Sequence, residues 1–195
     1  MKKLLLLALF VLGTYFAKAQ ESKTSITAGY TNVNLKAKVR IPEYDEISTE
    51  STDGGGFFIG ITREINISDK FSFKPGILYT NTLLDESDDD KFEHLQIPFY
   101  FNYYANEKIF LSAGPKIDYL LENDFNENYN KISLALGIGI GFELSPRFDL
   151  IANYSFQITN SLSKDFTDEM SNELGTDVNA SLKQNFLNIG LAYNF

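Results

Sequence analysis

The feature that most constrains the fold is a strict alternation of large apolar residues with small or polar ones over residues 131–144. Side chains two positions apart on a β-strand share a face. The segment therefore predicts a strand with one wholly apolar face and one face of glycine, alanine, serine and glutamate. The apolar face comprises Ile132, Leu134, Leu136, Ile138, Ile140 and Phe142.

The same alternation recurs along the chain and predicts eight strands. They span about 24–35, 55–66, 70–82, 92–104, 108–121, 131–144, 148–159 and 184–195. Short connections at 66–70, 105–108 and 145–147 alternate with long ones at 36–54, 82–91, 122–131 and 160–183. Strands of this length cross a bilayer when tilted. An even count with alternating loop lengths predicts an all-β fold, an eight-stranded antiparallel up-and-down transmembrane β-barrel with both termini in the periplasm.

Aromatic residues cluster at the strand ends on the apolar face. This placement is typical of the girdles of a membrane barrel. The alternative is a soluble barrel of opposite polarity, with the apolar residues inside and the glycine-rich face outside. The residues expected at the short-turn end are Phe71, Phe73, Phe101, Tyr103, Phe142, Phe148, Tyr193 and Phe195, and those expected at the other end are Tyr79 and Tyr119.

The first residues predict a secretory signal peptide. Two lysines precede an unbroken apolar run at 4–12, and Ala17-Lys18-Ala19 supplies a small-residue cleavage site. We expect a signal peptide at 1–19 and a barrel domain at 20–195. The alternative is an uncleaved N-terminal anchor.

Charge restricts the possible partners. The net charge is −9, and removing the lysines at 2, 3 and 18 gives −9 − 3 = −12. The four long connections carry −2, −4, −2 and −3, so the negative charge gathers on the predicted external side. We expect no nucleic-acid partner, since phosphate binding needs a basic surface. Cysteine is absent, which excludes disulfides.

Charged residues on the polar face should point into the barrel interior, the lumen. Glu64 and Lys74 flank one short turn and should meet across it, whereas Glu143 and Asp149 flank another and should face each other with like charge. These residues either line a permeation path or form a hydrogen-bonded plug, and we favour the plug because eight strands enclose a narrow interior. The full set is Glu64, Lys74, Lys116, Asp118, Glu143 and Asp149.

Other candidate chemistry is weaker. His94 is the single histidine, and a His-activated nucleophile would need an adjacent serine, but its neighbours on the same face are Phe92 and Gln96. We therefore expect a histidine at the barrel rim and no enzyme. The acidic run 85–90 offers carboxylates for a divalent cation but lacks the EF-hand spacing, so we expect a solvated loop. No cofactor or metal site is expected.

Several segments resemble the PorT-like outer-membrane β-barrel proteins of Gram-negative bacteria. They are His94-Leu95-Gln96-Ile97-Pro98-Phe99, Phe110-Leu111-Ser112-Ala113-Gly114-Pro115, the glycine-rich strand 135–141 and the ending Leu191-Ala192-Tyr193-Asn194-Phe195. The resemblance implies an outer-membrane location among lipids. Because the end of the chain resembles the ends of other outer-membrane barrels, we expect Tyr193 and Phe195 to be the terminal signal that the barrel-assembly machinery recognises. It also suggests a secretion or cell-surface protein partner.

The expected function is a non-enzymatic barrel with acidic extracellular loops and a structural or interaction role at the cell surface or in secretion. The alternative is a narrow, porin-like pore for small solutes or ions. A lipid-modifying enzyme is a third, less favoured possibility.

Overall fold

The computed structural model describes residues 22–44, 46–84, 91–121 and 128–195. Within them lie eight β-strands, one short 3-10 turn and one α-helix. In chain order the elements are β1 (Ser22–Ile41), the 3-10 turn (Pro42–Tyr44), β2 (Glu46–Ser68), β3 (Phe71–Leu84), β4 (Lys91–Tyr104), β5 (Ile109–Leu120), β6 (Ile132–Ser145), β7 (Phe148–Gln157), α1 (Lys164–Leu174) and β8 (Asn179–Asn194).

The strands form a closed antiparallel ring in which each pairs with its neighbours in sequence and β8 pairs with β1. Following paired residues around the ring from Ser22 leads to Leu187 on β8 and then to Asn32 on β1. The ring therefore closes with a stagger of 32 − 22 = 10 residues. A stagger of this kind requires the strands to tilt relative to the barrel axis. The predicted eight-stranded up-and-down barrel is confirmed.

Apolar side chains face outward and polar ones inward. On β6, Ile138 is 49% exposed, whereas Ala135 is 2% exposed. The lumen holds many buried polar residues, among them Gln96 and Asn102. The soluble barrel of opposite polarity is therefore wrong, because the large apolar side chains exposed on all eight strands would leave a large apolar surface uncovered in water.

Aromatic rings form a band at the short-turn end of the outward face. The ring centroids of Phe71 and Tyr103 are 5.2 Å apart, and Tyr193 lies 5.2 Å from Phe148 and 5.0 Å from Phe195. The Phe71–Tyr103 and Phe148–Tyr193 pairs cross between neighbouring strands, so the band follows the circumference of the barrel.

The first long connection differs from the expected loop. Residues 36–54 were expected to form a loop, but β1 and β2 continue as a paired hairpin to Ile41 and Glu46, closed by the turn at Pro42–Tyr44. The apolar alternation ends here because this part of the hairpin projects beyond the apolar belt. β8 pairs with the extended part of β1 as far as Asn179↔Arg40.

The last long connection also contains regular structure. Residues 160–183 were expected to form a loop, but they include α1 and the start of β8. Ser163 caps α1 by accepting a hydrogen bond from the Phe166 backbone N–H at 3.2 Å, and Gly175 ends it with φ 67°. Both are ordinary cap signals. Across the described residues, no helix has the length and apolar character needed to span a membrane.

Three prolines interrupt the hydrogen-bonded ladders on one side of the ring. Pro75, Pro98 and Pro115 lie within β3, β4 and β5, and each lacks the backbone N–H that a ladder needs. The β3–β4 pairing accordingly passes from Pro75↔Phe99 to Leu78↔Gln96, omitting two pairs. The β2–β3 ladder omits two pairs beside Pro75, and the β4–β5 ladder omits two pairs beside Pro115. The β1–β8 ladder has no such gap.

Candidate functional site

The lumen brings together most of the charged residues singled out from the sequence. Inward-facing positions of β2 to β5 supply two charged clusters at different heights, and β6 and β7 supply a third pair near the short-turn end.

The lower cluster is centred on Glu64, which is 4% exposed. Its Oε2 lies 3.9 Å from Lys74 Nζ, so the expected pairing across the short turn is present. Glu64 Oε1 accepts hydrogen bonds from the Ser72 and Tyr104 hydroxyls and from Asn102 Nδ2 at 3.3 Å. Three hydrogen-bond donors and one cation, all from β3 and β4, therefore surround one buried carboxylate, as a buried charge requires.

The upper cluster is the buried pair of Lys116 and Asp118. Lys116 Nζ lies 3.2 Å from Asp118 Oδ1 without a well-aligned hydrogen bond, and it sits 4.5 Å from the centroid of the Phe186 ring. The cation thus has a carboxylate on one side and an aromatic face on the other. Both charged side chains are at least 95% buried.

An amide network surrounds this pair. Asn188 Nδ2 donates to Gln96 Oε1 at 3.2 Å, and Thr31 Oγ1 donates to Asn188 Oδ1 at 2.6 Å. The network joins β1, β8 and β4 across the lumen. The sequence pattern assigned no role to Gln96 or Asn188. Each is a polar amide at an inward position in the middle of an apolar strand, and that placement could have indicated a buried hydrogen-bond network.

Glu143 and Asp149 occupy opposed positions of the β6–β7 ladder, as expected. Asp149 is buried and its Oδ2 accepts a hydrogen bond from Asn194 Nδ2 at 3.2 Å, whereas Glu143 is only half-buried. Asn194 in turn accepts from Ser25 Oγ at 2.6 Å. The two like charges therefore lie in different environments. Asp149 is hydrogen-bonded to Asn194 on β8, whereas Glu143 reaches solvent.

Two cavities lie along the lumen. The one near the long connections has a volume of about 90 Å³ and is bounded by His94, Asp118, Ser133, Ser161 and other residues of five strands and two connections. The second has a volume of about 40 Å³ and borders Lys74, Phe110 and Asn188. Asp118 borders the first cavity and Asn188 the second, so the Lys116 cluster adjoins one cavity and its amide network adjoins the other.

His94 differs from the expected rim histidine. It is 2% exposed, packs edge-on against Phe186 at 5.2 Å, and its Nδ1 has no hydrogen-bond partner among the described residues. It is buried because the long connections cover the outer mouth: Asn130 Nδ2 donates to the Asn160 and Leu162 carbonyls, bridging the β5–β6 and β7–β8 connections.

The described residues contain no serine that is hydrogen-bonded to His94. Ser133 and Ser161 border the same cavity as His94, but no hydrogen bond joins either hydroxyl to the imidazole within the described ranges. They also contain no cluster of three or more metal-ligating side chains. The acidic run 85–90 lies outside the described residues.

The proposed assembly signal lies on the outer surface at the short-turn end. Phe195 is 71% exposed, and its backbone N–H donates to the Thr24 carbonyl at 3.0 Å across the β8–β1 seam. Tyr193 is half-buried between Phe195 and Phe148. Both rings are therefore part of the aromatic band.

Comparison with known proteins identifies a protein family that matches most of the chain. A family model described as "Outer membrane protein beta-barrel domain" matches residues 18–163, a segment that includes β1 to β7 and both charged clusters. Among solved structures, Ail, the attachment invasion locus protein of Yersinia pestis, is 19% identical, with 90% of this chain and 100% of that chain covered and a TM-score of 0.46. OprG of Pseudomonas aeruginosa is 11% identical, with 90% and 97% covered and a TM-score of 0.45. No curated protein matches the chain.

Proposed function

We propose that this chain, which belongs to the outer membrane protein β-barrel domain family, is a plugged, non-enzymatic barrel with a structural or interaction role at the cell surface. The protein is an outer-membrane β-barrel protein surrounded by lipid. The observation that carries the more specific role is the side-chain plug. In such a protein the solvent-exposed connections and rim are the parts left to meet a partner.

The plug consists of aromatic residues interleaved with the charged clusters. Phe58, Phe110 and Phe186 point inward from three strands and are at most 3% exposed. Lys116 lies against the Phe186 ring, and Lys74 Nζ lies 5.4 Å from the Phe110 centroid. A small barrel is filled by its own side chains in this way. Moving an ion past either cation would require separating a buried charge from its carboxylate.

Conductance in planar bilayers tests the plug. We expect the purified protein to show no stable, large conductance. Phe186→Ala should remove the aromatic surface beneath Lys116 and produce intermittent openings, whereas Phe57→Ala, on the lipid-facing side of the wall, should stay closed. Steady wild-type channels whose ion selectivity changes on Lys74→Glu or Lys116→Glu would overturn the plug.

The two internal cavities favour a narrow pore as the second candidate. A pore would need the layer of side chains around Lys116 and Gln96 to move aside and join the two cavities, which border Asp118 and Asn188 respectively. In this alternative, charge-reversing variants of the layer would change selectivity between cations and anions. A closed wild-type channel with unaltered behaviour in those variants would exclude the pore.

The proposed orientation places both termini in the periplasm and the long connections outside. The alternation of loop lengths and the acidic charge of the long connections support it. Because the chain has no cysteine, single variants can report the topology. Asn172→Cys on α1 should react with an impermeant maleimide on intact cells, whereas Asn106→Cys in the β4–β5 turn should not. The opposite result would reverse the orientation.

The finer assignments complete the proposal. A signal peptide at 1–19 would direct export and leave a barrel domain at 20–195, and the barrel-assembly machinery would recognise Tyr193 and Phe195. The resemblance to PorT-like barrels supports a protein partner in secretion or at the cell surface. The buried single histidine, with no serine hydrogen-bonded to it among the described residues, supports a role without catalysis.

A further inference from the structure

Three strands continue beyond the apolar belt and form a small sheet, which we call the extension. β1 lies in its middle, paired with β2 as far as Ile41↔Glu46 and with β8 as far as Arg40↔Asn179. β2 and β8 are therefore the two edge strands of the extension. An edge strand presents unpaired backbone N–H and C=O groups, and native proteins usually cover or interrupt such edges because they pair readily with other chains.

The β8 edge of the extension is covered by the chain that follows β7. The β7–β8 ladder stops at Ser155↔Phe186. Beyond it, Asn160 Nδ2 donates a hydrogen bond to the Ala180 carbonyl at 2.9 Å, and Asn160 Oδ1 accepts one from the Leu182 backbone N–H at 2.8 Å. One asparagine side chain therefore supplies the donor and the acceptor that a neighbouring strand would supply on this side.

The β2 edge of the extension is open. The β2–β3 ladder starts only at Gly54↔Leu84, whereas β2 itself begins at Glu46. Among the described residues, none pairs with Glu46–Glu50 on the side away from β1, and we call this segment the open edge. The six residues between Leu84 and Lys91 are too few to run beside the open edge and return, since a chain spans at most about 3.6 Å per residue. The open edge is exposed throughout and has no proline or lysine to discourage pairing.

The open edge also carries negative charge without a cation to balance it. Glu46 and Glu50 are four residues apart on β2, so their side chains share one face of the strand. Their partners on β1 are Ile41 and Ala37, which are uncharged. Among the described residues, neither glutamate forms an ion pair. Two carboxylates without cations therefore lie beside backbone groups that have no neighbouring strand.

We propose that the open edge binds an extended, basic segment of a partner protein, which adds to β2 as a further antiparallel strand. Backbone hydrogen bonds supply the affinity of such strand addition, and side chains supply its specificity. Two cations four residues apart in the segment would lie opposite Glu46 and Glu50. A second copy of this chain fits poorly, because two open edges paired about Ser48 would place Glu46 opposite Glu50 twice. The inference rests on the proposed interaction role and names the class of partner.

The test measures peptide binding to the full chain in phosphatidylcholine nanodiscs. The probe is a fluorescent, end-capped peptide of alternating threonine and valine in which two lysines stand four positions apart. One comparison peptide has glutamate in place of both lysines. The other keeps the lysines but has methylated backbone nitrogens, so it cannot pair as a strand. The protein variant is Glu46→Lys/Glu50→Lys, and its matched control is Asp69→Lys/Glu107→Lys, which makes the same charge change at exposed positions of the short-turn end.

We expect wild-type protein to bind the lysine peptide and neither comparison peptide. Amide hydrogens of the open edge should then exchange more slowly with deuterium, whereas those of 179–185 on the covered β8 edge should not change. Each opposed pair of unlike charges contributes up to about fivefold to affinity, so Glu46→Lys/Glu50→Lys should weaken binding of the lysine peptide by up to about 30-fold. The same variant should bind the glutamate peptide instead. The control variant should retain wild-type affinity.

Four outcomes would overturn the proposal. Equal binding of the methylated peptide would mean attraction of charge without strand addition. An unchanged affinity in Glu46→Lys/Glu50→Lys, or an equal loss in the control variant, would remove the open edge as the site. Protection of the open edge that rises with protein concentration in the absence of peptide would assign it to a second copy of this chain. Should the variant fail to fold, the methylated peptide and the hydrogen exchange of wild-type protein still decide the question. None of these measurements depends on conductance, so a failure here leaves the plug proposal standing.

Discussion

The depth dependence of an arginine on the lipid-facing surface gives a quantitative test of how the barrel sits in the bilayer. Ile138 lies midway along the apolar face of β6, is 49% exposed, and is flanked on its ladders by Ala113 and Tyr154. No acidic residue is paired with it there. An arginine at the bilayer midplane costs about 2–4 kcal/mol, falling to about 0–1 kcal/mol near an interface. We therefore expect Ile138→Arg to lower the free energy of unfolding by about 3 kcal/mol.

The matched control is Ile132→Arg on the same face of the same strand. Ile132 is 61% exposed and lies at the outer end of β6, so its arginine should reach the headgroups at a cost of about 0–1 kcal/mol. Because the chain has no tryptophan, unfolding in phospholipid vesicles is followed by far-UV circular dichroism and by heat-modifiable gel mobility. Equal costs at the two positions, or a cost below about 0.5 kcal/mol at Ile138, would refute the depth argument.

Three further predictions concern the lumen and the terminus. Glu64→Ala should cost about 3–5 kcal/mol of unfolding free energy, since it leaves Lys74 buried without its carboxylate; Glu64→Leu/Lys74→Met should recover most of this in the same denaturation assay. Gly139→Leu should cost about 1–3 kcal/mol by overpacking, because even a Cβ there would lie 2.0 Å from Asn153 Oδ1; a neutral result would mean that this face is not packed. Deleting Phe195 should lower the folded fraction recovered in outer membranes, and an unchanged yield would remove its role as an assembly signal.

Alternation predicted the strands because burial differs sharply between the two faces of a membrane barrel. Every predicted strand has a counterpart, and the faces of β6 agree residue by residue with their exposure. The same argument failed for 36–54 because the β1–β2 extension leaves the apolar belt and both of its faces are hydrated. The helix within 160–183 was missed although Ser163 and Gly175 provide its caps. A short polar helix has no apolar period to reveal it.

The alternation of apolar and polar residues could not predict most contacts across the lumen. Alternation assigns a side chain to the inside, but the stagger of the ring decides which inward residues meet. Gln96 and Asn188 are 92 positions apart in sequence, and Ser25 and Asn194 are 169 apart. The Glu64–Lys74 and Glu143–Asp149 pairs, which flank short turns, were predictable, because local geometry fixes which residues face each other. The burial of His94 likewise depends on two distant connections that cover it.

The proline-bearing strands make the wall of the ring unequal in stiffness. The seam between the first and last strands is the place where a cyclic structure is expected to yield, yet here its ladder runs without a gap from Ser25↔Asn194 to Arg40↔Asn179. The omitted pairs lie instead on the opposite side, beside Pro75, Pro98 and Pro115. Amide hydrogens of β3 to β5 next to these positions should therefore exchange with solvent deuterium before those of β1 and β8. Under a pulling force or lateral pressure, the barrel should distort first at this flank and keep its termini joined.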